Sequence, residues 1–299
     1  MKHKSLWIVL GITLAVLAPL TTFNLLDTFY YTHTEGKFIF NDEDLHDWDG
    51  EETTVKYENG TYNIKGYEAT YHLLDIHVSS LSLFKSWLAT DSEDNYGINI
   101  NQSLNDIIQT VKDKTGRSVL GAITGDYCFW SSSRSGYVVR NSVVYRRDMK
   151  SPNSVDLVVK KDGSISLMKE KDYAPDVGIG RVSKKYYQVV SFGPALMENS
   201  EILIEENAEI NGNTWVNNPR AAFGWVDSHH FMFLATEAKD RTSKNLKSFR
   251  LYDLATFLKE KGCIGAYNFD GGYSAGLAFN DQVVFSPKRG IGDIFFIMS

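Results

Sequence analysis

Asp270 closes an apolar run from Cys263 to Phe269 and is followed by Gly271, Gly272, Tyr273 and Ser274. A buried strand that ends in an acid, two glycines and a hydroxyl delivers polar groups to a surface cleft. Glycines beside the acid let backbone N–H groups approach a ligand with no Cβ in the way. Such a corner suits a phosphate or a sugar, and it equally suits a tight turn into the next strand. A second apolar run, Val119 to Ile123, ends in the same manner in Thr124, Gly125, Asp126 and Tyr127. Asp126 either bonds its own turn or shares a cleft with Asp270. Arginine is the side chain best built to grip phosphate in a bidentate way. Arg220 precedes the run Ala221 to Trp225, and Arg241 lies in a polar loop with Lys239, Asp240, Lys244, Lys247 and Arg250. Taken alone, both arginines also read as solvated surface residues.

Other chemistries fit the chain poorly. Gly272 to Gly276 satisfies Gly-x-Ser-x-Gly, the turn that carries the nucleophile of α/β-hydrolases. That fold requires a helix after the serine and a later histidine, whereas the residues after Ser274 read as strand and the last histidine is His230. His229-His230 lacks the i,i+4 spacing of a zinc-binding helix, and no His-Glu-x-x-His occurs. The acids Asp42, Glu43, Asp44, Asp47, Asp49, Glu51 and Glu52 do not follow calcium-loop spacing and read as a solvated stalk. No metal or cofactor is expected.

The elements that must position these residues are legible in outline. Thr70 to Val78 is rich in β-branched and aromatic residues and reads as a largely buried strand. Ser103 followed by Asp106, with Leu104, Ile107, Ile108 and Val111 at helical spacing before Gly116, predicts a helix that packs on a sheet. Leu251, Leu254, Ala255, Phe257 and Leu258 predict a second helix, ended by Gly262. Hairpins are expected around Asn141-Ser142 and around Asp162-Gly163, and Val283 to Phe285 and Ile294 to Met298 read as closing strands.

With 299 residues, 43% hydrophobic and 23% charged, the chain can bury a substantial core. A formal charge of −6 with no basic patch argues against a nucleic-acid partner. Leu6 to Leu26 is almost wholly apolar and long enough to span a bilayer, and Lys2, His3 and Lys4 precede it. It lacks the Ala-x-Ala site of a cleaved signal peptide and reads as a signal anchor. The expected organisation is a cytoplasmic stub and transmembrane anchor over 1–30, an acidic linker over 31–55, and one extracellular α+β domain over 56–299. That domain is expected to be a mixed β-sheet with a few packed helices, on a single-pass protein of the cell membrane.

Several motifs in order resemble the phosphodiester glycosidase family, the N-acetylglucosamine-1-phosphodiester α-N-acetylglucosaminidase-like domain with its bacterial, exopolysaccharide-associated relatives. Asn268 to Ser274 is similar to the family's Asn-Leu-Asp-Gly-Gly-Gly-Ser segment, and Thr124 to Tyr127 to its Asn-Gly-Asp-Tyr strand end. Arg140 to Arg146, Phe192-Gly193-Pro194, Asn218-Pro219-Arg220 and Ile291 to Ile294 also match in type and order. The resemblance covers roughly residues 70 to 299. It implies hydrolysis of the bond between an anomeric carbon and a phosphate oxygen, which needs carboxyl groups beside an oxocarbenium-like centre and donors for phosphate. On this basis Asp270 and Asp126 are the catalytic carboxylates. Arg220, Arg241, Arg140, Gly271, Gly272, Ser274, Thr124 and Tyr273 are placed at a carbohydrate-phosphate substrate.

The chain also departs from the pattern, with Thr124 for asparagine, Lys239-Asp240-Arg241 for Asp-Gly-Arg, Tyr273 for glycine and Ala275 for serine. Tyr273 sets a large ring beside the expected cleft. The alternative is a catalytically degenerate glycan-binding or assembly protein on the same fold. Cys128 and Cys263 fit either a disulfide or two buried thiols.

Overall fold

The computed structural model describes residue 42 and residues 44–89, 101–126, 135–178, 182–206, 218–238 and 248–299. The apolar segment 6–26, Tyr127, Cys128 and Arg241 lie outside the described residues. Among the described residues, no helix is long and apolar enough to cross a membrane.

The domain is dominated by strands, as an α+β fold with few helices. Strands β1 (Thr54–Ile64), β2 (Tyr67–His77), β13 (His230–Thr236), β12 (Arg220–Trp225), β14 (Gly265–Phe269), β10 (Ala195–Glu198) and β11 (Glu201–Ile202) form a seven-stranded sheet in that order. A five-stranded sheet runs β16 (Gln282–Phe285), β15 (Leu277–Phe279), β4 (Val119–Thr124), β17 (Asp293–Met298) and β3 (Phe84–Leu88). A third sheet runs β6 (Val143–Asp148), β5 (Gly136–Arg140), β9 (Tyr186–Val190), β7 (Val155–Lys160) and β8 (Ile165–Lys169).

Side-chain alternation on β2 explains the layering. Leu74, Ile76 and Val78 join Phe223, Phe233 and, from the five-stranded sheet, Ile123, Leu277, Phe295 and Ile297 in one core. Ala69, Tyr71 and Leu73 point the other way, onto Leu254, Phe257 and Leu258 of helix α3 (Leu251–Glu260). The seven-stranded sheet is therefore covered on both faces, which is why its strands read as unbroken apolar runs. The short helix α2 (Glu170–Tyr173) follows β8. Helix α1 (Leu104–Thr115) buries Leu104, Ile107, Ile108 and Val111, each stabilising by about 1.5–3 kcal/mol. Its ends are the expected ones: Ser103 accepts from the Asp106 N–H, and Gly116 closes it in the left-handed conformation at φ 68°.

Two expectations need correction. The sheets are not mixed, because every pairing between described strands is antiparallel. Helix α3 does carry the chain from β13 to β14, two strands pointing the same way, but β12 lies between them and opposes both. The acidic segment is also not a free stalk over its described part. The His46 N–H donates to the Lys161 carbonyl and the Trp48 N–H to the Ser79 carbonyl, while Leu45 and Trp48 pack on the core. Asp42 pairs with Lys85, a wholly buried strand lysine that burial lowers to about 8.

Candidate active site

The two strand-end aspartates meet. Asp270 follows β14 of the seven-stranded sheet and Asp126 follows β4 of the five-stranded sheet, and the Asp270 N–H donates to the Gly125 carbonyl at 2.8 Å. Both side chains are buried, and the charge of Asp126 reaches Asp270. Burial pushes Asp270 up to about 6, opposed by the Ser274 hydroxyl and Arg289 and reinforced by Asp126.

The glycine pair after Asp270 is required by packing. A Cβ on Gly271 would stand 2.9 Å from the Pro219 carbonyl oxygen, and Gly272 adopts φ 62°. The Gly272 N–H, expected to face phosphate, instead donates to that same carbonyl at 2.7 Å. This holds the turn against the start of β12. Because Ala221 pairs with Phe269, Arg220 stands across from Asp270 on the same rim. Its Nε donates to the Phe249 carbonyl at 3.4 Å, and burial lowers its guanidinium to about 10.

Ser274 and Thr124 organise the turn. Arg289 donates from Nε to the Ser274 hydroxyl at 2.6 Å and from Nη2 to Asp270 at 3.3 Å, and Ser274 bonds Asp270 in turn. Thr124, expected at the substrate, is buried and donates its hydroxyl to the Ser274 carbonyl at 2.7 Å, so it fixes the loop from below. Tyr273, expected beside the sugar, is 47% exposed and stands at the rim rather than on the floor.

Arg140, also expected at the substrate, is instead a buried counter-ion. Its Nε donates to Asp293 at 2.8 Å, its Nη1 to the carbonyls of Val139 and Val189, and its Nη2 lies 3.9 Å from Asp126. The Phe295 ring packs against the guanidinium at 4.9 Å.

Three side chains in or beside this cluster escaped the sequence reading. Asp293 opens β17, accepts the Asp126 N–H at 2.7 Å, and is pushed up to about 7 by burial, against the pull of Arg140. Its signal was the Ile291 to Ile294 motif, which marked a place in the order but no role. Arg289 stands between Lys288 and Gly290, where no motif singles it out. Asp156 is an acid inside the apolar strand β7. It accepts from the Tyr173 hydroxyl, lies 2.8 Å from the Ser191 hydroxyl, and burial lifts it to about 7, with Glu170 and Asp126 adding. An acid at a core position was the available signal.

Two further sequence readings are decided locally. Gly272–Ser274 forms a single 3-10 turn followed by β15, so no helix follows the serine and the hydrolase string is incidental. Cys263 is a buried free thiol that burial pushes up to about 12.

Comparison with known proteins bears on the family and the fold. The phosphodiester glycosidase family matches residues 113–298, a span that holds Asp126, Arg140, Arg220, Asp270, Arg289 and Asp293. No curated protein matches. Among solved structures, the zebrafish N-acetylglucosamine-1-phosphodiester α-N-acetylglucosaminidase catalytic domain, auto-inhibited by its pro-peptide, is similar at 17% identity with a TM-score of 0.62. That match covers 85% of this chain and 86% of the zebrafish chain. A hypothetical protein from Synechocystis is similar at 11% identity and TM-score 0.57, over 84% of this chain and 64% of that one. The family match spans more than half of the chain and the fold agrees, so this chain belongs to the phosphodiester glycosidase family.

Proposed function

We propose that this protein is a hydrolase that cleaves a sugar-1-phosphodiester bond in cell-envelope or exopolysaccharide glycans. It is held at the membrane by segment 6–26, with the domain over 56–299 outside the cell. The observation that carries this reading is the buried Asp270, tied to Ser274 and Arg289 and within electrostatic reach of Asp126. A similar zebrafish domain is named for cleaving a sugar-1-phosphodiester, which supports the substrate class.

The chemistry follows from the parts. The bond between the anomeric carbon and the phosphate oxygen breaks, water supplies the new hydroxyl, and the phosphate departs with the bonding electrons. Asp270, with a pKa near 6, holds a proton in mildly acidic solution and can pass it to the departing oxygen. Asp126 supplies the second carboxyl beside the oxocarbenium-like centre. Arg289, which contacts Asp270, and Arg220, which starts β12 across the same rim, offer charge-assisted donors to the phosphate. Asp293 and Arg140 lie behind these groups and hold them in place.

The test is full-length protein with a panel of sugar-1-phosphodiesters. Released sugar is expected, and Asp270→Asn should lower kcat by about 10²–10⁴-fold while the protein stays folded. No release from any substrate, or unchanged turnover in the variant, overturns the reading. Protease treatment of intact cells tests the location: a chain protected from external protease overturns an extracellular domain.

A further inference from the structure

Far from the carboxylates, β2 and β13 bring two imidazoles and a carboxylate onto one face. His77 pairs directly with His230, and Asp75 precedes His77 by two residues and so points to the same side. The two rings stack at 3.8 Å between centroids. His230 Nε2 lies 2.7 Å from Asp75 Oδ1, and His77 Nε2 lies 4.0 Å from the same oxygen. Six residue steps along β13 lead from His230 to Thr236, whose hydroxyl accepts the Arg220 N–H, so this cluster stands about 20 Å from the Asp270 rim.

We propose that Asp75, His77 and His230 form a binding site for a divalent transition-metal ion of the zinc class. Their donor atoms all lie within 4.8 Å of one another. Around zinc, with bonds of about 2.0–2.1 Å, neighbouring tetrahedral ligands stand about 3.3 Å apart. The separations of the two imidazoles from Asp75, 2.7 and 4.0 Å, bracket that spacing, and the stacked rings must swing apart for both in-plane lone pairs to meet one ion. Two nitrogens and one carboxylate oxygen select zinc, copper or nickel over magnesium and calcium.

The surroundings are built rather than incidental. Asp227 accepts the backbone N–H groups of His229 at 2.9 Å and His230 at 2.8 Å, locking the turn that delivers His230 to β13. Trp48 packs on His229 at 5.4 Å, so the docked acidic segment braces the same turn. Asp75, His77 and His230 are each partly exposed, which leaves a path for the ion and room for water as a fourth ligand. Sequence spacing hides this set, because its histidines lie on separate strands rather than on one helix.

The experiment is isothermal titration of Zn²⁺ into full-length protein, freed of its purification tag and stripped of metal. One equivalent is expected to bind with a micromolar or tighter dissociation constant. His77→Ala, His230→Ala and Asp75→Asn should each weaken it by at least about tenfold. His229→Ala and Asp270→Asn should leave it unchanged. Absence of binding, or wild-type affinity in all three ligand variants, overturns the proposal. Circular dichroism checks that each variant folds. Should they fail to fold, Cu²⁺ electron paramagnetic resonance of the wild-type protein decides: coupling to two imidazole nitrogens supports the site, and its absence overturns it.

Discussion

Opposite kinds of chemistry stand beside the two ends of strands β12 and β13. At one end Asp270, Asp126 and Asp293 are sunk beneath the protein surface, and their charge is managed by Arg140 and Arg289. At the other end Asp75, His77 and His230 face partly into water. The strands themselves are alike; coverage differs. Where a second sheet closes over the strand ends, burial forces the carboxyl groups of Asp270 and Asp293 upward, and a buried carboxyl group must be met by a cation or a hydroxyl. Where water remains, ion pairs contribute little to stability and side chains keep the freedom to rearrange around a ligand.

The sharpest way to break this comparison is Arg140→Met. It removes the cation between Asp293 and Asp126, and urea denaturation should show a loss of about 3–5 kcal/mol. A loss below about 1 kcal/mol would mean that the buried end does not depend on its counter-ions.

Asp156→Asn probes the same burial through pH. Asp156 binds its proton more tightly in the folded chain, at about 7, than at its ordinary 3.8. The stability this contributes is complete below about pH 4 and lost as pH rises through 7. Wild-type protein should therefore lose about 2–4 kcal/mol relative to the asparagine variant over that window, read by denaturation at successive pH values.

Arg289→Gln tests the rim. Arg289 holds Asp270 down, so its removal should move the limb of the kcat/KM profile upward from about pH 6 and cut kcat/KM by about 10–100-fold. A limb that stays in place would separate Asp270 from the rate. The smallest effect belongs to the open end. His230→Gln in metal-free protein should cost less than about 1 kcal/mol, because its pair with Asp75 is partly solvated. A larger cost would erase the contrast between the two ends.

Local patterns located most elements correctly. Ser103 and Gly116 bound α1, Asn141-Ser142 and Asp162-Gly163 turn the expected hairpins, and the two strand-end aspartates converge as their shared sequence context implied. Arg140, Thr124 and Gly272 were placed at the substrate but proved to brace it from within. Type and spacing cannot separate a donor aimed at a ligand from one aimed at a neighbouring strand.

By itself, the sequence determined the bounds of α1 and of the two expected hairpins, because caps, turns and apolar runs act over a few residues. It also determined that Asp270 and Asp126 stand at strand ends. Tertiary structure alone decided which strands are neighbours, since a strand buried on both faces has no alternation to mark its side. It alone brought Arg289 to Ser274 and Asp270, Asp293 to Arg140, and His77 to His230. Those contacts join chain segments whose closeness depends on sheet register and packing, and neither is written in any short stretch of residues.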